Sequence, residues 1–73
     1  MTEQSIELKV GKQIKSLRNT LGISQEELGF RSGVHRTYIA SLEVGKRNIS
    51  IVTLEKIVSA LGVTLSDFFN FDN

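Results

Sequence analysis

Val10, Ile14, Leu17 and Leu21 fall at i, i+4, i+7 and i+11, the stripe of one amphipathic helix, while Lys9, Lys12, Lys15 and Arg18 occupy its other faces. This spacing predicts a first helix over residues 7–20, stopped by Gly22 as a left-handed cap. Ser24 followed by Glu27 has the form of a capping box and predicts a second helix at 25–32. Gly33 can take the positive φ of a sharp turn, after which Val34 drops toward the core. A third helix is expected at 36–43, with Ile39 and Leu42 facing inward and Arg36, Thr37, Ala40 and Ser41 pointing elsewhere. Gly45 closes it, and Lys46-Arg-Asn-Ile-Ser50 is a basic loop that ends on an N-cap serine. The stripe Leu54, Ile57, Val58 and Leu61 predicts a fourth helix at 51–61, capped near Gly62. Thr64 and Asp67 give a weaker start signal for a short fifth helix at 65–70. The chain has no proline and no alternating strand-like run, so the expected fold class is all-α: a compact five-helix bundle forming one domain over residues 1–73.

Composition narrows the classes. Seventy-three residues lie near the lower limit at which a hydrophobic core alone offsets chain entropy, so self-association would help. The absence of cysteine removes disulfides and thiolate metal sites and makes cytoplasmic folding the simplest expectation. No apolar run approaches the roughly 20 residues that span a bilayer, and Met-Thr-Glu-Gln-Ser at the start is not a secretory signal, so no membrane partner is expected. The overall charge of +1 says little, but its distribution says more. Between residues 31 and 47, Arg31, Arg36, Lys46 and Arg47 stand against Glu43 alone, whereas from residue 49 onward Glu55, Asp67 and Asp72 outnumber Lys56. An ordinary solvated surface could carry the same charges.

The basic segment overlaps a unit from Ser24 to Gly45 that reads as two short helices joined by a tight turn. This is the sequence form of a helix-turn-helix, whose second helix is narrow enough to enter the DNA major groove. Arg36 opens that helix, and its guanidinium can fork onto O6 and N7 of guanine, although a phosphate contact would use the same group. Thr37 offers a hydroxyl to a base or a phosphate and a methyl to thymine. It could also serve only to start the helix. Ser41 lies one turn further on the same face, and Ala40 is small enough to permit close approach. The phenol of Tyr38 can reach a phosphate or simply pack over the turn. Lys46, Arg47 and Asn48 can clamp the flanking backbone, which would make binding salt-dependent. His35, with no carboxylate or thiol cluster at metal-ligand spacing, is expected at the boundary of the third helix, within reach of the DNA backbone. No metal or cofactor is expected.

The motifs Ser24-Gln-Glu-Glu-Leu, Ser32-Gly-Val and Tyr38-Ile-Ala-Ser-Leu-Glu-Val-Gly resemble those of Xre and phage-repressor helix-turn-helix proteins, including the lambda-repressor-like DNA-binding domain. His35-Arg-Thr-Tyr-Ile-Ala-Ser and Gly45-Lys-Arg-Asn-Ile-Ser are most similar to the controller proteins of bacterial restriction-modification systems. The resemblance implies a phosphate contact at Gln25 and a pair between Glu43 and Arg18. It also marks Gly29 as a departure, because the family usually has alanine there. It further implies a homodimer on a palindromic operator, with a second dimer possible on the same DNA. Such a controller governs its own and the endonuclease gene, with RNA polymerase as a possible partner at the bacterial nucleoid.

Phe68, Phe69 and Phe71 fall within four positions, and one short helix cannot direct all three rings into a small core. At least one exposed ring is expected, which makes 63–73 the candidate dimerisation segment, led by Leu65, Phe68, Phe69 and Phe71. All three rings completing the core is the alternative. No paired catalytic carboxylates, nucleophile with a base or phosphate loop supports an enzyme. The readings that compete with a controller are a phage-type repressor or antitoxin autorepressor, and a protein-interaction module that does not bind DNA.

Overall fold

The structure, a computed structural model, describes residues 4–71. Among these residues five helices follow one another: α1 (Ile6–Leu21), α2 (Gln25–Ser32), α3 (Arg36–Glu43), α4 (Ile51–Ala60) and α5 (Leu65–Phe68). No strand occurs among the described residues. The bounds of α2 and α3 match those expected. Helix α1 begins one residue early because the Ser5 side chain accepts from the Leu8 N–H and caps it. Helix α4 ends at Ala60, with Leu61 as its cap, and α5 stops at Phe68 instead of residue 70.

The caps show how side chains select these ends. The hydroxyls of Ser24, Ser50 and Thr64 accept from the backbone N–H of Glu27, Thr53 and Asp67 at 3.0, 3.1 and 3.0 Å. Only half of the expected capping box forms at Ser24. The Glu27 carboxylate turns along the helix to Arg31, 2.8 Å away, rather than back to the cap. Gly33 sits at φ 74°, the left-handed region that a side chain would resist, and lets α3 depart from α2 within a short turn.

The core is assembled from all five helices: Val10, Ile14, Leu28, Ile39, Leu42, Leu54, Ile57, Val58, Leu61 and Phe68. Leu17 and Val34 pack against this cluster, whereas Leu21, expected in the α1 stripe, is 47% exposed at the C-terminal end of its helix. Helix α1 packs on α3, α2 on both α3 and α4, and α4 on α5. Two glycines permit the closest backbone approaches. A Cβ built on Gly11 would lie within 2.0 Å of the Leu42 carbonyl oxygen, and one on Gly29 would lie 2.6 Å from that of Val34. The departure at Gly29 thus accompanies a tightly closed turn. Gly11→Ala should force α1 away from the end of α3 and destabilise the domain by about 2–3 kcal/mol, as seen in urea denaturation.

The C-terminal aromatics divide. Phe68 is fully buried and belongs to the core, which removes it from the surface where it was expected to meet a partner. Its ring meets those of Phe69 and Phe71 edge-on, at centroid distances of 5.2 and 6.4 Å. Phe69 is 46% exposed, Phe71 is half-buried, and Leu65 packs partly against the core. The Gln13 amide donates to the Phe68 carbonyl at 3.0 Å and pins this end to α1. Positions 72 and 73 of the candidate dimerisation segment lie outside the described residues.

Candidate nucleic-acid interface

A network of charge-assisted hydrogen bonds orients the helix-turn-helix. Arg18 of α1 reaches across to Glu43 at the end of α3 through two bonds, Nε to Oε2 at 2.8 Å and Nη2 to Oε1 at 3.0 Å. The remaining guanidinium nitrogen, Nη1, donates to the Ile23 carbonyl at 2.9 Å. The Gln25 amide, at the first turn of α2, donates to Glu43 Oε1 at 3.0 Å. Three helices are therefore tied to one carboxylate. Both charged side chains are largely withdrawn from water, with 11% of Arg18 and 2% of Glu43 exposed. Such a fork fixes orientation because the planar partners accept only one geometry. The hydrogen bonds to Glu43 raise the Arg18 pKa above its usual value, outweighing the opposing effect of burial, so the guanidinium stays charged.

The network gives Gln25 a structural task that spacing alone did not reveal. Its side-chain nitrogen gives one hydrogen to Glu43, which leaves its second N–H and the backbone N–H groups of Gln25 and Glu26, at the first turn of α2, as the donors that can meet an anion.

The N-terminus of α3 is capped differently from the other helices. His35 Nδ1 accepts the Thr37 backbone N–H at 3.3 Å and lies 2.8 Å from the Thr37 hydroxyl. His35, Arg36 and Thr37 are all exposed, and Ser41 is half-buried one turn further along. Arg36 Nη1 stands 3.5 Å from Glu26 Oε2 across the turn. Glu26 carries no signal in the sequence, because the pairing exists only once α2 and α3 are folded together. Both partners of this pair are well exposed, so water screens it and a competing ligand can replace it at little cost.

The loop after α3 is not loose. Tyr38 donates its phenolic proton to the Asn48 carbonyl at 2.8 Å, and the Arg47 guanidinium lies over its ring, 4.9 Å from the centroid. Tyr38 therefore holds the basic loop to α3, and its hydroxyl proton is spent within the protein rather than free for a phosphate. Lys46, Arg47 and Asn48 remain exposed.

Exposed, rich in cations, carried on a helix pair joined through Glu43 and flanked by a braced loop, this surface has the form expected of a groove-reading element. The helix-turn-helix family pattern matches residues 14–68, from the middle of α1 to the end of α5. The chain belongs to the helix-turn-helix family. Among its relatives, the control protein C.MunI of a Mycoplasma species is 44% identical over 66 residues, covering 89% of each chain. Among solved structures, the restriction-modification controller protein C.AhdI from Aeromonas hydrophila superposes with a TM-score of 0.86 at 36% identity, covering 90% of this chain and all of that one. C.Esp1396I, solved as a tetramer with its natural 35 base-pair operator, gives a TM-score of 0.85 at 39% identity over 92% of this chain and 88% of that one. Within this helix-turn-helix family, then, the relatives of this chain include several restriction-modification controllers.

Proposed function

We propose that this helix-turn-helix regulator is the controller of a restriction-modification system, binding a palindromic operator as a dimer to govern its own and the endonuclease gene. The observation that carries the reading is an exposed, basic α3 start and loop, held rigid by the Arg18–Glu43–Gln25 network, in a chain whose controller relatives align over nearly all of it. Arg36 leaves Glu26 to fork onto a guanine, while Thr37 and Ser41 approach neighbouring positions in the groove. Gln25, Lys46, Arg47, Asn48 and His35 contact the backbone, and Tyr38 positions the loop that carries three of them.

Dimerisation falls to the remaining apolar surface. Phe69 lines a groove with Ile6, Val10, Ile49, Ile51 and Leu54, rimmed by the polar Glu7, Arg47 and Asn48 and with Ile51 78% exposed, while Phe71 lies on the neighbouring face beside Lys9 and Gln13. A two-fold axis through this face sets two copies of α3 about 34 Å apart, one turn of DNA. A second dimer on the same operator, contact with RNA polymerase and residence at the nucleoid in the cytoplasm belong to the same reading.

Nuclease footprinting on the DNA flanking the gene should show two protected half-sites about one helical turn apart. Arg36→Ala should cost about 1–3 kcal/mol of binding and relax the preference at one base pair in each half-site, measured by competition with variant duplexes. Full discrimination by that variant would remove Arg36 from the reading surface. A phage-type repressor would give a similar footprint, and a restriction endonuclease or methyltransferase gene beside this one decides between the two.

A further inference from the structure

Among the described residues, four of the five helices are capped by a serine or threonine hydroxyl, and α3 alone is capped by an imidazole nitrogen. The difference changes what the adjacent residue can offer. A backbone N–H can only donate, so the bond from Thr37 N–H requires His35 Nδ1 to be an unprotonated acceptor. The neutral ring then carries its proton on Nε2. With Nδ1 unable to donate, the 2.8 Å contact between Thr37 Oγ1 and Nδ1 is made by the threonine hydroxyl giving its proton to the ring.

We propose that His35 is a positioning residue that fixes Thr37 as a hydrogen-bond acceptor, so that α3 reads the exocyclic amine of an adenine or a cytosine. The inference rests on the DNA-reading surface proposed above and narrows it. A threonine whose proton is committed has lone pairs and a methyl left to present. Phosphate oxygens, guanine N7 and O6 and thymine O4 are all acceptors, so none of them can be its hydrogen-bond partner. The N6 amine of adenine and the N4 amine of cytosine are the donors in the major groove. Thr37 thus separates amino bases from keto bases on the strand it faces, next to an arginine suited to guanine.

Two measurements test this. Nitrogen-15 NMR of the free, 15N-labelled protein should find the proton of the neutral His35 ring on Nε2. A proton on Nδ1 overturns the inference without touching the DNA reading. Next, duplexes selected from a randomised library identify the position whose preference changes in Thr37→Val, and a base analogue lacking the exocyclic amine is placed there. Wild type should lose about tenfold in affinity, the order of one hydrogen bond, and Thr37→Val should lose none. His35→Ala should bind both duplexes alike, while His35→Asp, whose carboxylate also caps the helix and accepts from the hydroxyl, should restore the discrimination. Discrimination that survives in His35→Ala, or is absent from wild type, overturns the inference alone. Failure to enrich any duplex removes the DNA reading and this inference together.

Discussion

Glu43→Ala is expected to destabilise the domain by about 3–5 kcal/mol, because it leaves the Arg18 guanidinium withdrawn from water without its counter-charge. A chain of 73 residues has about 4–11 kcal/mol of total stability, so much of the population should unfold at moderate temperature. Glu43 lies at the C-terminal end of α3, where a negative charge is unfavourable with respect to the helix dipole. Its retention there is explained by the three groups it joins: Arg18 of α1, Gln25 of α2 and α3 itself. Replacing both charges by apolar residues of similar volume should recover most of the lost stability, since no buried charge is then left alone. The double variant would still lack the fork that fixes the angle between α1 and the α2–α3 pair. Urea unfolding followed by circular dichroism measures each variant. A loss below about 1 kcal/mol for Glu43→Ala would mean that the pair behaves as an ordinary surface contact.

Phe68→Ala should cost about 3–5 kcal/mol, because the ring is fully buried and its removal leaves a cavity that a four-residue helix cannot close. The same change releases the edge-on contacts to Phe69 and Phe71, which form the outer face of the C-terminal segment. Phe69→Ala removes a ring that is only partly covered and should alter stability far less while weakening self-association. Thermal unfolding together with sedimentation at several protein concentrations separates the two effects. Equal losses of monomer stability in both variants would contradict the division between a core ring and a surface ring.

That division marks the limit of what spacing could reveal. The stripes of α4 and the inward pair Ile39 and Leu42 were legible because helical periodicity places such residues on one face, and the face packs as expected. Three phenylalanines within four positions carry no such phase, and only the direction in which α5 leaves α4 decides which ring enters the core. The caps at Ser24, Ser50 and Thr64 are local and were readable from residue type. The Arg36–Glu26 pair, the Tyr38–Asn48 bond and the Gln25–Glu43 bond depend on how α2, α3 and the following loop are set against one another. The exposure of the polar and basic residues at the start of α3 and in the following loop was legible from residue type, whereas the hydrogen bonds of Thr37 and Tyr38 required coordinates.

The central claim is that the basic α3 surface binds DNA in the manner of a controller. Fluorescence anisotropy with a labelled duplex from the region upstream of the gene, repeated from low to physiological salt, tests it most directly. The account predicts sequence-preferring binding whose logarithmic affinity falls linearly with the logarithm of salt concentration, with a shallower slope in Lys46→Ala. An absence of salt-sensitive binding at micromolar protein would contradict it.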